Sequence, residues 1–122
     1  MKIIGSKTEQ EIRAELIGSN RSLFSTEEDG RLIEEVYKLY PETKTAYVLH
    51  WRVEQGEDLY KVLVNDNVII EIEIDRVGQS EPIIGKSLTI PQYLKGLKRK
   101  DQIQLAVALD LAKKDIENAR LK

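Results

Sequence analysis

The sequence predicts a single α+β domain: a three- or four-stranded antiparallel meander packed on one face by two N-terminal helices and a long C-terminal helix. Three observations predict it. Two helix-start signals with apolar stripes precede Pro41, the apolar period drops to about two residues between Thr45 and Asp75, and helical spacing returns after Thr89. The chain has 122 residues, no internal repeat and no low-complexity linker, so residues 1–122 form one domain with one core.

Ser6 and Glu9 have capping-box spacing, and Ile12, Leu16 and Ile17 follow at helical intervals until Gly18 supplies a stop. Ser25 and Glu28 repeat the box, with Glu27 to Asp29 at the positive end of the helix dipole. Leu32, Ile33, Val36, Leu39 and Tyr40 then form a stripe, Pro41 ends the helix, and Leu23-Phe24 can pack back on the pair.

In the first strand Tyr47, Leu49, Trp51 and Val53 alternate with Val48, His50, Arg52 and Glu54. A two-residue turn at Gly56-Glu57 sets Val53 against Tyr60, Trp51 against Val62 and Leu49 against Val64, giving an apolar inner face. A three-residue loop Asn65-Asp66-Asn67, with Asn67 left-handed, sets Val64 against Val68, Val62 against Ile70 and Tyr60 against Ile72. The stretch Val77 to Leu88 contains Gly78, Pro82 and Gly85, and either holds an edge strand around Pro82 to Ile84 or crosses the sheet. Thr89 and Gln92, with Pro91 between them, open a short helix, and Gly96 separates it from a last helix running from about Lys98 to Leu121.

Charged residues are 33% and hydrophobic residues 41% of the chain, a globular composition, and the formal charge of −2 gives no overall attraction to nucleic acid or anionic membrane. The absence of cysteine removes disulfides, thiol nucleophiles and thiolate metal sites, and one histidine weakens the case for zinc. Met1 to Ile4 is too short for a signal h-region and no apolar run reaches membrane-span length, so a cytoplasmic protein with no membrane partner is expected. Asn20-Arg21-Ser22 matches a glycosylation sequon by chance in that setting.

The outer sheet face is where a partner is expected. Arg52, Lys61 and Glu71 lie across one row of it; Glu54, Leu59 and Glu73 across another; and His50, Leu63 and Ile69 across a third beside Val48. Cross-strand pairs such as Lys61 with Glu71 explain part of the charge, at roughly 0.2 to 1 kcal/mol each. The apolar end is covered by a helix of the same chain, by a second copy or by another protein. No serine or cysteine nucleophile with an obvious general-base geometry can be paired with His50 from the sequence. Glu71 and Glu73, with Asp66 upstream, resemble the acidic strand of metal-dependent nucleases, although such folds want a lysine where Glu73 stands. Gly85-Lys86-Ser87 imitates the end of a phosphate-binding loop, but the earlier glycine is replaced by Ser80 and a turn is the simpler reading.

Lys95, Lys98, Arg99 and Lys100 form the one basic cluster, a solvated junction or a contact for an anion or nucleic acid, with Tyr93 the single aromatic nearby. Between Ile103 and Ala112 only Gln104 and Asp110 interrupt the apolar residues, so this helix must be buried on more than one side, within one chain or in a homodimer. The function expected is that of a non-enzymatic protein-interaction module, an inhibitor, immunity or accessory protein, without a cofactor. Its partner-binding residues are Val48, His50, Arg52, Lys61, Leu63, Ile69 and Glu71. The alternatives are anion or nucleic-acid binding at the basic cluster and a metal-dependent nuclease-like enzyme.

Overall fold

A computed structural model describes residues 7–24, 31–54, 56–75 and 83–120. The elements follow the order α1 (Lys7–Phe24), α2 (Arg31–Leu39), β1 (Ala46–Glu54), β2 (Glu57–Val64), β3 (Val68–Asp75), β4 (Ile83–Thr89), α3 (Ile90–Leu94) and α4 (Arg99–Arg120). The four strands form one antiparallel sheet in chain order, so this is an α+β meander packed with helices, including the long C-terminal one. The capping boxes at Ser6 and at Ser25 to Glu28, and the stretch 76–82 with Gly78, Ser80 and Pro82, lie outside the described residues.

The β2–β3 pairing is the one the alternation predicts, with Val64 opposite Val68, Val62 opposite Ile70 and Tyr60 opposite Ile72. The turn differs: Asn65, not Asn67, takes the positive φ, at 54°. The chain before β1 selects it. Asn65 Oδ1 accepts from the backbone N–H of Lys44 at 2.7 Å and of Thr45 at 3.3 Å, and its own N–H donates to Thr45 O at 2.8 Å.

The β1–β2 register departs from the expectation twice. Gly56 before β2 is at φ +79°, Glu54 faces Glu57 and Trp51 faces Tyr60. That two-residue slip keeps each side chain on its face. Between Val48 and His50 the ladder then shifts by one residue, a bulge that reverses the faces beyond it. Tyr47 therefore stands opposite Leu63, and Val48 opposite Val62.

The sheet consequently has a core on each side. Leu32 and Val36 of α2 pack with Ala46, Val62, Val64, Ile70, Ile72 and Ile74 on one side, joined by the half-buried Val48 and Tyr60. On the other, Ile12 and Leu16 of α1 and Leu105, Val107, Ala108 and Ala112 of α4 enclose Tyr47, Leu49, Leu63 and Ile69. Ile103, Leu109 and Leu111 pack against the same core, which accounts within one chain for the apolar girth of α4.

α1 continues past Gly18 because its last turns are tied to β1. β1 is an edge strand whose outward backbone groups need partners. Val48 N–H donates to Ser19 Oγ at 3.2 Å, Asn20 Nδ2 donates to Ala46 O at 2.9 Å, and Gln104 Nε2 of α4 donates to Leu49 O at 2.9 Å. Asn20, the sequon residue, is thus engaged inside the fold. A polar link reinforces the seam: Asp115 of α4 accepts from Thr45 Oγ1 at 2.7 Å and from the Tyr47 hydroxyl, and Asn20 Nδ2 donates to Thr45 Oγ1 at 3.1 Å. Burial first, then the Asp115 carboxylate, pushes the Tyr47 hydroxyl well above its ordinary pKa of 10. Arg13 reaches Asp110 at 3.1 Å, and with Lys114 it holds that carboxyl below its usual range.

α3 begins as predicted. Thr89 N–H donates to Gln92 Oε1 at 2.9 Å, Gln92 N–H donates to Thr89 Oγ1 at 3.3 Å, and Pro91 occupies the first turn. Gly96, at φ +80°, separates α3 from α4.

Candidate functional site

Among the described residues, helices cover one end of the sheet. On the α1/α4 side the row Tyr47, Leu63, Ile69 and Leu88 is packed, while the next two rows, His50–Lys61–Glu71 and Arg52–Leu59–Glu73–Ile83, lie beyond the helical layer. All residues of these two rows but Ile83 line a cleft of about 300 Å³ together with Gly85 of β4. The twist of a four-stranded sheet curves this surface, and the exposed His50 and Arg52 form one wall. Lys61, Glu71, Glu73 and Leu59 are half-buried within it.

The charges are segregated by strand. His50 and Arg52 stand on β1, Lys61 on β2, and Glu71 and Glu73 on β3. Lys61 faces Glu71 directly across the ladder, yet the two form no ion pair; Lys61 Nζ sits 5.9 Å from the centroid of the Tyr93 ring. Glu71 leans toward β4, where Gly85 and Lys86 together oppose it in a bulge between the Ile70–Ser87 and Ile72–Ile84 pairs. A Cβ at Gly85 would meet Glu71 Cβ and Oε1, each at 3.2 Å, so the glycine is what leaves room for that carboxylate. Burial, then the Asp101 and Glu71 charges, raise the Tyr93 pKa.

Of the seven residues expected to bind a partner, the cleft gathers His50, Arg52, Lys61 and Glu71. Leu63 and Ile69 are 0% exposed: helices of the same chain cover them, so they are core and not contact surface. Val48 lies on the opposite side of the sheet, because the bulge at Leu49 reverses its face. Leu59, Tyr60, Ile72, Glu73 and Gly85 complete the cleft; the Glu71-Ile72-Glu73 spacing was the available signal for Glu73.

Comparison with family models, with curated proteins and with solved structures finds no match to this chain. The site must be read from its own chemistry. Among the described residues no three His, Asp or Glu side chains form a group able to hold a metal ion, so Glu71 and Glu73 gain no third ligand. Gly85-Lys86-Ser87 is neither a turn nor a phosphate loop: it lies within β4, where Ser87 Oγ and the Tyr40 hydroxyl are 3.2 Å apart. Lys95, Lys98, Arg99 and Lys100 are all exposed around the α3–α4 junction. Tyr93 is 9% exposed, beneath Lys61, and offers no stacking platform to a nucleotide base. Among the described residues no helix is long and apolar enough to cross a membrane.

The other side of the same sheet end carries Trp51, Val53 and Tyr60 beside Asp58. Trp51 is 60% exposed and Val53 53%, with Trp51 stacked on Tyr60 at a centroid distance of 6.3 Å. α2 packs over the opposite end of that face, on Val62, Val64 and Ile70.

Proposed function

We propose that the protein is a non-enzymatic interaction module that acts in the cytoplasm by binding a partner protein in the cleft between His50 and Arg52 on one wall and Glu71 and Glu73 on the other. The observation that carries this reading is the cleft itself: a preformed hollow of about 300 Å³, lined by both signs of charge around Leu59 and held on the strands of one sheet. Rigid strands fix the positions of these groups before a partner arrives, which lowers the ordering cost of association. Segregated charge favours one orientation and rejects others. The fold alone carries no function, so the reading rests on this site.

Affinity capture from the natural host tests it, comparing wild type with folded Arg52→Glu and Glu71→Lys variants and with a Lys113→Glu control on α4. A partner held by wild type and the control but lost by both cleft variants supports the reading. The same partner retained by all four proteins removes the cleft from it. A second docking face is favoured by the 60% exposure of Trp51, since exposed aromatic anchors dominate many interfaces. Loss of the partner in Trp51→Ala with retention in the cleft variants would assign binding there instead.

A further inference from the structure

The β3–β4 half of the cleft holds two carboxylates that no described residue pairs with. Glu71 and Glu73 are half-buried, share a face of β3, and form neither a hydrogen bond nor an ion pair with any described residue. Partly desolvated carboxylates are costly without a donor or a cation. Among the described residues no cation lies between them. Lys61, opposite Glu71, is drawn over Tyr93, and Glu73 is flanked across the sheet by Leu59 on one strand and Ile83 on the other. Gly85 contributes no side chain beside Glu71, where a Cβ would press on the carboxylate at 3.2 Å.

We propose that this half of the cleft is a socket for one basic side chain, an arginine or lysine, presented by the partner protein. The proposal rests on the partner-binding reading and names what the partner must carry. A guanidinium or ammonium group satisfies Glu71 and Glu73 with charge-assisted hydrogen bonds, and guanidinium can address both with its fork of donors. Leu59 offers apolar surface to the methylene stem. Arg52 and His50 on the far wall keep a cation on the β3 side and set the orientation of the segment that bears it.

The test uses Nα-acetyl-arginine methylamide as the probe and the neutral citrulline analogue as its control, titrated into the whole protein at constant ionic strength and followed by backbone amide shifts. Saturable shifts are expected at Leu59, Glu71, Glu73 and Gly85 with a millimolar dissociation constant, at least about fivefold weaker for citrulline and for Glu71→Gln. Glu73→Gln, whose neighbours are apolar, provides the same readout if the first variant does not fold. Equal binding of citrulline, unchanged affinity in the folded variant, or shifts that fail to saturate would each overturn the socket. Such a failure leaves the partner-binding reading standing, because the capture experiment with Arg52→Glu does not depend on it.

Discussion

Ile69→Ala separates a core from a contact surface. Ile69 is 0% exposed and sits between Leu63 on β2 and Leu88 on β4, under α1 and α4. Truncation removes three buried carbons, at about 0.8 kcal/mol each, or roughly 2.4 kcal/mol before any cavity is counted. Incomplete collapse of the surrounding helices raises the loss to about 3–4 kcal/mol. With a urea dependence of about 2 kcal/mol per molar, the unfolding midpoint falls by roughly 1.5–2 M. Far-UV circular dichroism is the suitable probe, because Trp51 is already 60% exposed in the folded protein and its emission changes little on unfolding. Val53→Ala, at a position 53% exposed, serves as the contrast and is expected to cost under about 0.5 kcal/mol. An Ile69→Ala loss no larger than that of Val53→Ala would refute the two-sided core.

Gly18→Ala is expected to stabilise by about 0.5–1 kcal/mol, since Gly18 is inside α1 and a Cβ there meets nothing within 4 Å; thermal unfolding checks it. Gly85→Ala is expected to displace the Glu71 carboxylate and shift the Glu71 and Ile72 amide resonances, because the new Cβ arrives 3.2 Å from that side chain. Tyr47 holds its proton more tightly folded than unfolded, so its contribution is complete below pH 10 and is lost as the pH rises toward its elevated folded value; wild type should lose stability above pH 10 more steeply than Tyr47→Phe. Sedimentation should show a monomer at high concentration, because Leu105, Val107, Ala108 and Ala112 are all buried within one chain.

The element order, the β2–β3 register and the Thr89 capping box were legible because each depends on residues close in sequence. The β1 bulge was not, because it answers to both faces of the sheet at once. Its trace is present nevertheless. Ala46 to Leu49, Val62 to Val64 and Val68 to Ile70 are uninterrupted apolar runs at the same end of three paired strands, the pattern of a sheet covered on both sides. Reading strict alternation through those runs placed Leu63 and Ile69 on a surface. Gly18 misled in the opposite way: a propensity cost of about 1 kcal/mol is outweighed by bonds from Ser19 and Asn20 to β1, which local sequence does not encode. In the cleft, the charged residues could be read from their spacing. The diversion of Lys61 to Tyr93 could not, since it depends on where α3 packs.

Photo-crosslinking in the natural host measures the partner site most directly, with p-benzoylphenylalanine introduced singly at His50, at Arg52 and at Lys113. Binding in the cleft predicts an adduct with the same protein from positions 50 and 52 and none from position 113, which lies exposed on α4. Adducts formed equally from position 113, or none from either cleft position, would contradict it.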